Sequence, residues 1–132
     1  MLHHISIGIT QIERAVAFYD TALRPIGYVR VWSDLRAGKE GQAVGYGPPG
    51  GEDMFALKQV SSLGEDSMLG LHVAFAATSR QAVVEFHAAA LLAGGTDNGP
   101  PGLREHYGPS YFAAFVIDPE GYRLEAVCKG VA

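Results

Sequence analysis

The chain holds a single cysteine, Cys128, so no disulfide can form within it. A reducing compartment suits such a chain, and a cytoplasmic location is expected. Basic residues are few and scattered. Lys and Arg total 10 against 14 Asp and Glu, and no run of five or more basic residues occurs. That excludes the concentrated positive surface that nucleic acid or an anionic membrane requires. No stretch of about 18 apolar residues, the length that spans a bilayer, is present. The opening Met-Leu-His-His has neither a positive region nor a long apolar run, so no signal peptide is expected. The Gly-rich stretch at 45–51 lacks the lysine and the Ser or Thr of a phosphate-binding loop.

What the chain does have is a repeat. His4-Ile5-Ser6-Ile7-Gly8-Ile9-Thr10 returns, 68 residues later, as His72-Val73-Ala74-Phe75-Ala76-Ala77-Thr78, and Val16 and Phe18 meet Val84 and Phe86. Two copies are too few for a solenoid. At 132 residues the chain is the size of one compact domain. Each half, at roughly 60 residues, buries too little surface to be more than marginal alone. The expected organisation is one domain: module one at 1–60, a linker at 61–70 and module two at 71–132. The halves share a core or exchange partners in a homodimer.

Ile5, Ile7 and Ile9 alternate with His4, Ser6 and Gly8, which predicts a strand with one apolar face. Thr10-Gln11-Ile12-Glu13 reads as a capping box opening a helix through Ile12, Ala15, Val16, Tyr19 and Leu23, ended by Pro25 and Gly27. Strands are predicted at Tyr28–Trp32, Gln42–Tyr46 and Met54–Val60. In the second half Leu71, Val73 and Phe75 alternate with His72, Ala74 and Ala76. Thr78-Ser79-Arg80-Gln81 is a second capping box, and the helix after it stops at Gly94-Gly95. Strands are predicted at Tyr111–Ile117 and Tyr122–Cys128, joined by the turn Asp118-Pro119-Glu120-Gly121. The stretch from Thr96 to Pro109 reads as a long loop, of a length often tied to function.

Each half thus opens with a histidine on the face away from its helix, among small neighbours that leave room. On the last strand Glu125 alternates with Arg123 and Val127, while Leu124, Ala126 and Cys128 take the apolar face. Tyr107, Tyr111 and His106 lie in or just after the long loop, within reach of a cavity mouth. Arg104 is placed to clamp a substrate anion. His3 is read as a surface residue and His87 as a helix-packing residue.

The His-Ile strand opening, the Phe18-Tyr19 pair, the His-Val-Ala-Phe strand and the closing Asp-Pro-Glu-Gly-Tyr-Arg-Leu-Glu resemble the vicinal oxygen chelate superfamily. That group includes glyoxalase I, extradiol dioxygenases, and fosfomycin- and bleomycin-resistance proteins. The resemblance covers essentially the whole chain. It implies an α+β fold of two βαβββ modules related by pseudo-two-fold symmetry, forming a curled mixed sheet around a cavity. It also implies one divalent metal ion held by His4, His72 and Glu125, and a homodimer. The family's fourth ligand position falls on Leu57, or with a one-residue shift on Ala56 or Lys58, and none of these is a ligand. Two histidines and one carboxylate with open positions favour Fe2+, with Zn2+, Ni2+ or Mn2+ as the other candidates.

The expectation is therefore a metal-dependent lyase or dioxygenase acting on a small oxygenated molecule. Glu125, His106 and Tyr111 are the candidate catalytic residues, and Arg104 and Tyr107 the candidate substrate contacts. The main alternative is a metal-free, bleomycin-type drug-binding resistance protein. A thiol transferase acting on an antibiotic is a third possibility.

Overall fold

The computed structural model describes residues 1–64, 66 and 68–131. The first half runs β1 (Ile5–Ile9), α1 (Ile12–Ala22), a 3-10 turn (Arg24–Ile26), β2 (Val29–Asp34), β3 (Ala43–Gly47) and β4 (Phe55–Gln59). The second runs β5 (His72–Ala76), α2 (Arg80–Leu92), β6 (Thr96–Leu103), a 3-10 turn (Glu105–Tyr107), β7 (Phe112–Ile117) and β8 (Arg123–Cys128). The fold is α+β, with two βαβββ modules as the repeat predicts. Each module builds a four-stranded mixed sheet, in the orders β1-β4-β3-β2 and β5-β8-β7-β6. In both, the first strand runs parallel to the last and the other pairs are antiparallel.

One hydrophobic cluster spans both modules. Ile7, Ile9, Phe18, Tyr19 and Leu57 pack with Phe75, Val83, Phe86, Val116 and Leu124. Across the junction, Phe75 meets Tyr28 and Phe55 edge to face, with ring centroids 5.4 and 5.2 Å apart. Such pairs add to the burial itself.

Residues 96–103, expected to be loop, form β6. Pro100 and Pro101 cannot donate to a ladder, but β6 is a sheet edge, where proline is tolerated. The pairing with β7 shifts register on both sides of Gly99. Each sheet also seats an aromatic ring over a glycine. A Cβ on Gly45 would stand 2.3 Å from Trp32 Nε1, and one on Gly99 would stand 3.0 Å from Phe115 Cδ2. Gly45 pairs with Trp32 on β2, and Gly99 pairs with Phe115 on β7, so the two modules exchange which strand is large and which is bare.

The first capping box does not form. The residue preceding α1 is Gln11, and its side chain makes no cap. Thr10 instead donates through its amide (2.7 Å) and its hydroxyl to Glu120 Oε1, 110 residues away in the other module, and Arg14 donates to Glu120 Oε2 at 3.2 Å. In α2 the cap is Ser79 rather than Thr78: its hydroxyl accepts from the Ala82 amide at 3.0 Å.

Burial draws the Glu120 pKa upward, but the Thr10 donors and the Arg14 guanidinium outweigh it, leaving it below the ordinary 4.5. A depressed carboxylate stabilises the fold above its unfolded-state pKa, and that contribution is lost as pH falls through the folded value. Glu120→Gln should therefore cost about 1 kcal/mol at neutral pH, with the gap to wild type closing below the ordinary glutamate range. Urea unfolding at a series of pH values measures this, and a gap that stays constant into acid would refute it.

Candidate functional site

β5 and β8 lie side by side, with His72 opposite Arg123 and Ala74 opposite Glu125. Side chains alternate across a strand, so His72, Ala74, Arg123 and Glu125 share one face. The small Ala74 leaves that face open. A cavity of about 360 Å³ lies over it, walled by His72, Arg123, Glu125, Tyr107, Tyr111 and Phe115.

Glu125 is the centre of this wall. It is only 2% exposed, yet both of its oxygens are satisfied. Oε1 faces His72 Nε2 at 3.1 Å, and Oε2 accepts the Tyr111 hydroxyl. A carboxylate withdrawn from water stays in place when hydrogen-bonded in this way. Burial, then the hydrogen bond and charge of Glu125, push the Tyr111 phenol up to about 12. Tyr111 is therefore a proton donor at neutral pH rather than a phenolate base.

The remaining predicted site residues fall at varied distances from this wall. Tyr107 is exposed and packs beside Tyr111, the rings tilted and their centroids 5.2 Å apart. His106 packs against Tyr107 with the rings tilted and their centroids 4.1 Å apart, outside the cavity wall. Arg104 also stands back from the wall. Its Nη2 donates to the Pro100 carbonyl at 2.6 Å, and its guanidinium lies 5.3 Å from the Phe115 ring centroid.

His4 lies just before β1, exposed, with Nδ1 2.8 Å from Nδ1 of His3, which in turn reaches Glu52 at 3.1 Å. Among the described residues of one chain, no three His, Cys, Asp or Glu side chains group closely enough to hold a metal. His72 and Glu125 are thus brought together, and His4 is not brought to them. His87, read as a packing residue, bonds Asp97 Oδ1 at 2.9 Å.

The register resolves the missing fourth ligand. Ser6, the counterpart of Ala74, lies opposite Ala56 as Ala74 lies opposite Glu125. The structural counterpart of Glu125 is therefore Ala56, and no module-one strand places a carboxylate there. On the edge strands, Ser6, His72, Ala74 and Ala76 are exposed. The cavity face of module two is thus uncovered by module one of the same chain. No helix among the described residues is long and apolar enough to cross a membrane.

No model of a known protein family matches the sequence, and no curated protein matches it. Solved structures do. A glyoxalase/bleomycin resistance protein from Albidiferax ferrireducens T118 is 26% identical, with 95% of each chain covered and a TM-score of 0.71. A glyoxalase/bleomycin resistance protein/dioxygenase family enzyme from Burkholderia phytofirmans PsJN is 16% identical, with 98% of each chain covered and a TM-score of 0.68. A glyoxalase I mutant from Zea mays is 18% identical, with 96% of this chain but 46% of that one covered and a TM-score of 0.72.

Proposed function

The chain has the fold of the vicinal oxygen chelate superfamily, and from that premise we propose that it is a metal-dependent enzyme acting on a small oxygenated molecule. The observation that carries this reading is the convergence of His72 Nε2 and Glu125 Oε1, 3.1 Å apart, on the wall of a cavity. A neutral imidazole and a buried carboxylate are the donor types a divalent cation takes. Two donors leave the three-residue set one short. His4 of the partner subunit completes it in a homodimer that lays the open face of one module one against the open face of the other chain's module two.

In this reading His72, Glu125 and His4 of the partner subunit hold one cation, with Fe2+ favoured and Zn2+, Ni2+ or Mn2+ as alternatives. Held there, a cation would supply Lewis acidity toward substrate oxygens. Tyr111 fixes the Glu125 carboxylate through Oε2, and its hydroxyl is the proton donor adjoining that group. The side chains of Tyr107, Tyr111 and Phe115 form an aromatic flank of the cavity. Ala56 stands where a second carboxylate would, so no acid occupies the module-one counterpart of Glu125. That favours a dioxygenase over an isomerase that shuttles a proton between two carboxylates.

Elemental analysis of purified protein tests the metal, and oxygen uptake with catechols after Fe2+ loading tests the reaction. Stoichiometric metal with oxygen uptake supports the dioxygenase, and metal without uptake supports a lyase. A chain that stays metal-free after reconstitution overturns the reading and leaves the drug-binding alternative.

A further inference from the structure

We infer that Arg123 is the anion-recognition residue of the cavity, and that the substrate is a compact planar carboxylate. This deepens the proposed site and rests on the cavity being where substrate binds, though not on the metal.

The first argument concerns charge. Arg14, Arg30 and Arg36 are each paired with a carboxylate. Arg104 is committed to the Pro100 carbonyl and the Phe115 ring. Arg123 lines the cavity, is exposed, and among the described residues makes no side-chain hydrogen bond or ion pair. The carboxylate on its own face, Glu125, is already engaged through both oxygens by His72 and Tyr111. An open guanidinium therefore faces the same space as the His72–Glu125 pair, opposite His72 in the strand register. A planar fork of donors is matched by a carboxylate, which it binds in a bidentate way.

The second argument concerns shape. Tyr107, Tyr111 and Phe115 present aromatic rings to the cavity, and Asn98 adds one neutral polar group. The volume of about 360 Å³ is near the lower end for ligand pockets. A flat ring of modest size uses such walls well. Because Arg123 adjoins the His72–Glu125 pair, the anionic group and the oxygen nearest that pair must lie close together on the ligand. An aromatic acid with an oxygen beside its carboxylate has that layout.

The test compares salicylate with salicylamide, which keeps the shape and removes the charge, by calorimetric titration of EDTA-treated protein. Wild type should bind salicylate roughly tenfold more tightly, the size expected of a charged hydrogen bond. In Arg123→Gln the ratio should fall to about one, with salicylamide affinity unchanged; Arg123→Lys should keep an intermediate ratio. Arg123 is exposed, so neither variant threatens folding. Equal binding of the two probes by wild type, binding of neither, or a ratio that survives Arg123→Gln overturns the inference. Elemental analysis judges the metal separately: a metal-free protein that shows the ratio keeps Arg123 and loses the metal.

Discussion

Refolded together in equal amounts, His4→Ala and His72→Ala chains should recover about a quarter of wild-type metal binding, although neither variant binds metal alone. The arithmetic follows from symmetry. Random pairing makes about half of the dimers mixed, and a mixed dimer holds one complete site and one that lacks both histidines. Each single variant loses a donor outright. Loss of a group that merely orients a donor costs about 10–100-fold in affinity, so loss of the donor should exceed about 100-fold. The expectation rests on two features of the structure: His72 and Glu125 converge, whereas among the described residues no third ligand of the same chain joins them. Metal content after gel filtration measures it. Metal retained by His4→Ala would remove His4 from the set. Loss in both variants without recovery on mixing would mean that the site closes within one chain.

The signals that were local in sequence translate directly. Alternation around Ile7 and Phe75 became β1 and β5, with both residues buried. Parity on the last strand placed Glu125 beside Arg123 and away from Leu124, and the cavity lies on that face. Signals that needed a partner far along the chain were not legible. Thr10 and Glu13 have the spacing of a capping box, but the acceptor Thr10 uses is Glu120, delivered by a turn of the other module. A short-range pattern loses to a long-range partner whenever burial makes the latter the better acceptor. β6 was hidden because Gly99, Pro100 and Pro101 are loop residues by propensity, and an edge position overrode that preference. Arg104 is read from the sequence as a residue able to clamp a substrate anion. Its attachment to Pro100 and Phe115 depends on how that strand bends, which spacing does not reveal.

The same long-range logic sets the second large effect: Asp118→Ala should lower stability by about 3 kcal/mol or more. Asp118 opens the Asp-Pro-Glu-Gly turn and is buried. Its Oδ1 accepts the amides of Glu120, Gly121 and Tyr122 at 2.9, 2.8 and 2.8 Å. Its Oδ2 accepts the hydroxyl of Tyr19, on α1 of the other module. Burial, with the charge of Asp118, holds the Tyr19 phenol well above its usual pKa, so it remains a donor throughout the neutral range. One carboxylate thus closes a turn and ties the two modules together. The turn it shapes also carries Glu120 to Thr10 and Tyr122 to the Gly8 carbonyl, at 2.7 Å. Removing it strands a buried hydroxyl, which costs about 1–3 kcal/mol, and takes the side-chain acceptor from the Glu120 and Tyr122 amides, while Gly121 keeps its bond to the Asp118 carbonyl. For a domain of this size the melting temperature should fall by about 10 °C or more. Tyr19→Phe, which removes one of the four donors, should cost less. The double variant should cost less than the sum of the two, because both break the same contact. Thermal and urea unfolding of the three variants measure these terms. A loss under about 1 kcal/mol for Asp118→Ala, or strict additivity with Tyr19→Phe, would show that the Asp118–Tyr19 contact does not tie the halves together.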